Sequence, residues 1–228
     1  MEIIARIRNG YESKFGVPRQ SGLVEDVISR VVFEPEYRRE EALRGIGDFS
    51  HLWLIWGFDK AEREGWSPTV RPPRLGGNKR IGVFATRSPF RPNSIGLSCV
   101  RLLGLEAGEE GTELLVGGAD LMNGTPIYDI KPYLPYTDCR PEATGGFTDA
   151  VLKRTVEVVI PPEAAGNRTE EELRALRAVL REDPRPAYQE DPDRIYAFEF
   201  SGMHVAFQVK DGVLRVREIG KIPRLRSE

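Results

Sequence analysis

Short apolar runs broken by glycine, proline, asparagine and aspartate set the pattern of the first half of the chain. Ile3, Ile4, Ala5 and Ile7 predict a strand between Glu2 and Arg8. Leu52 to Phe58, Ile81 to Ala85, Ser98 to Leu105, Glu113 to Val116 and Pro126 to Ile130 predict five more. Gly16, Pro18 and Gly22 make Lys14 to Gly22 a loop. Glu36 to Leu43 is charged and poor in breakers, which predicts a short helix ending near Gly45. Closely spaced strands with little helix between them favour a mostly β fold, an antiparallel sheet or barrel, over a doubly wound α/β sheet.

The pattern changes after Tyr133. Thr137 to Gly146 is polar and rich in breakers, and the alternation of Val156, Val158 and Ile160 then predicts a strand over Thr155 to Ile160. Thr169 and Glu172 make a capping-box sequence ahead of an apolar stripe at Leu173, Leu176 and Leu180, with Pro184 as the stop, so a helix is expected. Asp211-Gly212 between two alternating runs in HVAFQVKDGVLRVREI predicts a hairpin. The chain thus divides into a β-rich unit, residues 1–136, and a small appended α+β unit, residues 147–228.

Composition narrows the classes. A chain of 228 residues that is 40% apolar and 30% charged can bury one substantial core, or one core and a small appended domain. Glu2, Arg6 and Arg8 interrupt any signal-peptide apolar region, and no apolar run approaches membrane-spanning length, so the expectation is a soluble, cytoplasmic protein. Cys99 and Cys139 form no CxxC pair, and His51 and His204 are the only histidines, so no metal site is expected.

The net charge is only −2, but it is unevenly spread. From Trp66 to Arg101 there are seven cations (Arg71, Arg74, Lys79, Arg80, Arg87, Arg91, Arg101) and no acid; removing seven from 33 leaves 26 against 35 acids elsewhere. Such concentration suits a localised anionic partner such as a nucleic acid, although a solvated loop that lacks acids has the same composition.

Inside that segment GVFATRSPFRPNSIG starts as a buried strand and turns into a cationic loop stiffened by Pro89 and Pro92. The preceding RLGGNKRIGVF holds Gly77 and Gly82 at P-loop spacing, but Val83-Phe84 stand where Lys-Ser/Thr is required. No G-x-G-x-x-G follows a strand, so nucleoside triphosphate and Rossmann dinucleotide sites both lack support. Trp53 and Trp56 read as core residues of a strand, and His51 as a core or capping histidine.

Five ordered blocks, KFGVPRQSGLV, FSHLWLIWGF, WSPTVRPPRLGGNKRIGVFATRSPFRPNSIGLS, DLMNGTPIYDIKPYLPY and DPRPAYQ, resemble the tRNA adenine-N6 methyltransferase family called TrmO, over Ile3 to about Val209. The resemblance implies a small β-barrel that binds S-adenosylmethionine (SAM) at a homodimer interface, and a tRNA substrate methylated on N6 of threonylcarbamoyladenosine at position 37, beside the anticodon. It also implies cofactor contacts from Pro18, Arg19, Gln20, Phe58, Asp59, Arg87, Leu97, Asp120, Leu121, Met122, Asn123 and Gly124. Two positions depart from the family pattern: Asp59 stands where histidine is frequent and Asn123 where aspartate is common, which puts a charge-dependent role for either side chain in doubt.

Methyl transfer from a sulfonium is an in-line displacement, so positioning supplies much of the catalysis. A carbamoylated N6 is a poor neutral nucleophile, and a base that assists proton loss should matter. Asp120 and Asp129 are the carboxylates placed for this, and Lys131 shares the strand face of Asp129. Asp129 with Lys131 is the expected catalytic pair; a plain ion pair is the other reading. Arg87 and Arg91 suit the SAM carboxylate, a phosphate or the threonyl carboxylate. Arg91, Asn93 and Tyr133 are expected on the substrate side. Arg185 and Tyr188 suit a phosphate contact and base stacking, or simply a helix stop with Pro184 and Pro186. The rival functions are a non-catalytic RNA-binding module and a SAM-binding regulator.

Overall fold

The computed structural model describes residues 1–61, 65–72, 79–149, 155–185 and 191–222. Arg74, Gly77, Pro186 and Tyr188 lie outside the described residues. In chain order the first unit carries β1 (Ala5–Arg8), β2 (Ile28–Phe33), β3 (His51–Gly57), β4 (Thr69–Val70), β5 (Ile81–Gly82), β6 (Ile95–Gly108), β7 (Gly111–Gly117) and β8 (Pro126–Pro132). Six of these pair antiparallel in the order β1, β2, β7, β6, β3, β8, and β8 pairs back onto β1, so the sheet closes into a barrel. Alternation fills it: Leu52, Leu54 and Trp56 of β3, Val100 of β6, Leu114 and Val116 of β7 and Ile127 of β8 all point inward and are buried.

Two local expectations are corrected. Ile81 to Ala85 does not enter the barrel as a strand. Only Ile81–Gly82 is extended, pairing with Thr69–Val70 in a separate two-stranded ribbon, and Val83–Ala85 is a 3₁₀ turn. The cause is Thr86, whose amide (3.1 Å) and hydroxyl (2.8 Å) both donate to the Val83 carbonyl and take it from any ladder. Glu36 to Leu43 is likewise no single helix but two 3₁₀ turns, Pro35–Tyr37 and Glu40–Leu43, separated where Arg39 is extended. The Arg38 guanidinium donates to the Phe33 carbonyl at 2.7 Å, pulling that stretch back onto the end of β2.

The second unit is a sheet in the order β10 (Tyr196–Phe200), β11 (Met203–Lys210), β12 (Val213–Lys221), β9 (Glu157–Val159), with β9 parallel to β12. The Glu170–Arg181 helix starts at a formed capping box: Glu172 N–H donates to the Thr169 hydroxyl at 3.2 Å and Thr169 N–H to the Glu172 carboxylate at 2.8 Å. Leu173, Leu176 and Leu180 are buried against the sheet as the stripe requires. Asp211 and Gly212 take φ of 51° and 78°, the left-handed pair a two-residue hairpin needs. Among the described residues no helix is long and apolar enough to cross a membrane.

The two cores are not separated along the chain. Tyr11, Val24 and Val27, with Phe15, Val17 and Leu23, belong to the core of the second unit although they lie between β1 and β2. Removing the cap and removing core volume therefore have distinct expected sizes. Thr169→Ala should cost about 1 kcal/mol, and Leu176→Ala about 2–5 kcal/mol because it leaves a cavity. Urea unfolding of both variants checks the order; a larger loss from the cap would contradict the packing described.

Candidate functional site

A glycine and two aromatic rings fix the loop that roofs the site. Gly16 adopts φ 102° against the Phe198 ring, where a Cβ would lie 2.6 Å from ring carbon. Phe15 meets the Phe198 ring edge-on at 5.9 Å and stacks on Phe207 at 6.3 Å. The loop is tied at its far end by Gly22 N–H to the Gly118 carbonyl at 2.8 Å. Between these anchors Pro18, Arg19 and Gln20 line the same cleft as Phe58 and Asp120. The Arg19 guanidinium donates to the carbonyls of Arg185 (3.1 Å) and Asp183 (3.4 Å), linking the loop to the second unit.

Beneath the loop, register brings together a polar relay inside the barrel wall. Trp56 pairs with Gly96 and Leu54 with Ser98 across β3 and β6. A Cβ on Gly96 would fall 2.1 Å from the Trp56 ring, so glycine is what admits the indole. Trp56 Nε1 donates to Ser98 Oγ at 2.9 Å, and Ser98 Oγ donates to Asp120 Oδ1 at 2.5 Å. Burial pushes the Asp120 carboxyl above the usual carboxylate range; the Ser98 hydroxyl, backbone N–H groups at Asp120 and Ser21, and the nearby Arg87 pull the other way. Arg87 Nη1 also donates to Gln20 Oε1.

The resulting cleft encloses about 600 Å³. Pro18, Arg19, Gln20, Phe58, Asp59, Arg87, Leu97, Asp120 and Met122, nine residues expected at the cofactor, line it together with Arg91. Three others do not. Leu121 is fully buried in the barrel core. Asn123 accepts from Asn9 N–H through Oδ1 (3.2 Å) and donates its own N–H to the Tyr11 carbonyl (2.9 Å), and Gly124 N–H donates to the Ile7 carbonyl (2.8 Å). These two residues hold the chain around β1 instead.

On the substrate side, Arg91 Nη1 donates to the carbonyls of Thr86 (2.7 Å) and Val83 (3.3 Å), so its charge is taken up in shaping the loop. Asn93 is exposed outside the cleft lining, and its carbonyl accepts from Ile95 N–H at 2.8 Å. Tyr133 packs beside Trp53 at 5.8 Å. The Arg185 guanidinium is held by the Asp183 carboxylate at 2.8 and 2.9 Å. Asp129 and Lys131 form an ion pair at 2.8 Å on the outer barrel face, opposite Ile55 and Trp53 of β3, and neither lines the cleft.

Trp56 is core as expected, but it also walls the cleft, its ring 4.2 Å from Phe58. Trp53 is not core: it is half-buried on the outer face and donates from Nε1 to Asp138 at 2.9 Å. His51 sits half-buried at the start of β3, its Nδ1 2.9 Å from the Ser50 hydroxyl. Sequence reasoning alone misses Ser98. Its signal was a hydroxyl at an inward position of an alternating strand, between Gly96 and Val100.

The geometry has close relatives. The family model described as the tRNA-methyltransferase O N-terminal domain matches residues 6–139, and that of the TrmO C-terminal domain residues 153–222. The chain is 40% identical over 223 residues to an Escherichia coli (strain K12) protein named tRNA (adenine(37)-N6)-methyltransferase, covering 94% of this chain and 95% of that one. It is 38% identical over 224 residues to a Pseudomonas aeruginosa protein named as a candidate S-adenosylmethionine-dependent methyltransferase, covering 95% of each. A crystal structure of TrmO from Pseudomonas aeruginosa superposes with a TM-score of 0.78 at 30% identity, covering 96% of both chains. Matched by family models over both of its units and by relatives over nearly its whole length, the chain belongs to the TrmO family of tRNA methyltransferases.

Proposed function

We propose that the protein is a SAM-dependent methyltransferase acting on N6 of threonylcarbamoyladenosine at position 37 of tRNA. The observation that carries this reading is the cleft itself, which sets one desolvated carboxylate, Asp120, among arginines and aromatic walls. SAM offers a matching set of groups: an ammonium and a sulfonium for a carboxylate, a carboxylate for an arginine, and a purine for apolar and aromatic walls. The donor set fits that group, and the volume is in the range of small-molecule sites.

When bound, SAM supplies an electrophilic methyl on a sulfonium that leaves as a neutral thioether. The protein's own residues then bind and orient. Asp120 faces the cofactor's positive charge, and Ser98 and Trp56 hold that carboxylate in one rotamer. Arg87 serves a carboxylate at the cleft, exchanging its Gln20 partner for a charged one, while Arg19 ties the loop to the second unit. The proton acceptor for N6 is Asp129, oriented by Lys131, which lies across from the cleft-lining Trp53 on the outer barrel face. The protein works as a homodimer joined along the outer face of β6, where Leu97 is 55% exposed and Leu103 and Leu105 are each 42% exposed. Leu97 belongs to the cleft as well, so this interface borders the site and lies two strands from Asp129. The appended unit aids tRNA recognition, and a tRNA substrate places the enzyme in the cytoplasm.

Three expected outcomes test the reading. Nucleoside mass spectrometry should find a methyl group on tRNA that already carries the threonylcarbamoyl group and none on tRNA with plain adenosine, because a site built for the carboxylate leaves an arginine unpaired against the bare base. Equal methylation of both would sink the substrate assignment, and no transfer to either would leave the RNA-binding or regulatory alternatives.

The two aspartates should fail differently. SAM affinity should weaken on acidification, starting at a higher pH than for an ordinary carboxylate near about 3.9, because burial raises the Asp120 pKa and only its ionised form pairs with a cation. Asp120→Asn should flatten that profile. Asp129→Asn should leave SAM binding intact and slow single-turnover transfer about a hundredfold or more. A normal rate would make Asp129 purely structural.

Sedimentation of Leu103→Glu at micromolar concentration should show a monomer where the unaltered protein shows a dimer. A dimer in both would move the interface elsewhere.

A further inference from the structure

Phe84 and Trp66 are large aromatic residues left in solvent at the rim of the cleft. Phe84 is 71% exposed and Trp66 51%, and their rings lie near-parallel, 25° apart with centroids at 6.1 Å. The placement is built. Residues 69–70 and 81–82 pair as a ribbon, Val83 N–H donates to the Pro68 carbonyl at 3.0 Å, and Val83 is buried, which turns Phe84 outward. Arg91 lies over the Phe84 ring, its guanidinium carbon 5.6 Å from the centroid, while bonding the Val83 and Thr86 carbonyls. Arg91 also lines the cleft, so the aromatic surface is continuous with the site.

We propose that Phe84 and Trp66 form a stacking platform for an unpaired nucleobase of the RNA substrate, next to the nucleotide whose base enters the cleft. The inference rests on the functional reading above and names the residues that hold a neighbouring base. The platform sits in a segment with seven cations and no acid, which favours a polyanion that brings π-faces with it over an apolar protein partner. An aromatic face backed by arginine suits stacking on any base without reading its edge.

The test uses an anticodon stem-loop RNA with 2-aminopurine at the positions flanking 37, titrated with the unaltered protein, Phe84→Leu and Phe84→Tyr. Leucine keeps apolar bulk and loses the π-face; tyrosine keeps both. Expected are quenching of 2-aminopurine with the unaltered protein and Phe84→Tyr, loss of that quenching with Phe84→Leu, and an RNA affinity about tenfold weaker for Phe84→Leu, within the range for one stacked base. SAM affinity, measured alongside, should match in all three, showing that the fold is kept. Unchanged quenching and affinity in Phe84→Leu, with methyl transfer intact, overturns this inference alone. Failure of the unaltered protein to bind the RNA overturns it together with the functional reading. A change in sedimentation of Phe84→Leu with RNA affinity unchanged makes the patch a contact between copies, which also overturns it.

Discussion

The burial of the segment between β1 and β2 in the core of the second unit is the constraint on which the cleft depends. Phe15 between Phe198 and Phe207, with Tyr11, Val24 and Val27 beside them, fixes both feet of the loop whose crest carries Pro18, Arg19 and Gln20. Each fully buried side chain of this kind contributes about 1.5–3 kcal/mol, enough in sum to order a loop that has almost no secondary structure. The appended unit is therefore part of the site's architecture even though none of its described residues lines the cleft. Arg19 makes the same link in polar form through the carbonyls at 183 and 185.

The second requirement is a carboxylate withdrawn from water. Burying an ionised carboxyl costs several kcal/mol unless donors surround it. Asp120 receives the Ser98 hydroxyl and backbone N–H groups, with Arg87 nearby, yet burial still outweighs them and its pKa stays raised. That residual imbalance leaves Asp120 better served by a cationic ligand than by the protein alone. The Trp56 indole closes the relay from inside the barrel, and Gly96 makes room for it, so one inward-facing row of β3 and β6 joins core packing to site electrostatics.

Legibility in the sequence followed the locality of the interactions. The capping box at Thr169, the hairpin at Asp211-Gly212 and the strands with clean alternation were readable because neighbouring residues decide them. β2 was not, since Ser29 and Arg30 break its apolar run, and the 3₁₀ turn at Val83–Ala85 was not, since the Thr86 hydroxyl captures a carbonyl that a strand would use. At the site, the motif blocks marked Pro18 to Gln20, Phe58, Arg87, Leu97 and Asp120 because those stretches are contiguous. The Trp56–Ser98–Asp120 relay forms through cross-strand register, which no local pattern encodes. Asn123 and Gly124 share a block with Asp120, but the chain turns there and commits them to β1.

The rim arginines divide by what they already hold. Arg91 donates to two main-chain carbonyls and packs on Phe84, so moving its guanidinium would give up its bonds to the turn and its place over the ring. Arg87 bonds a neutral side-chain amide, Gln20, on a loop anchored elsewhere. Trading a neutral acceptor for an anionic one adds charge–charge attraction, and the planar guanidinium can grip a carboxylate with two parallel hydrogen bonds. Withdrawing Arg91 gives up two hydrogen bonds inside the turn together with the packing on Phe84. The two cations are nearby in sequence and alike in chemistry, yet the hydrogen bonds around them make Arg87 the one available to a carboxylate and Arg91 the one that fixes the rim.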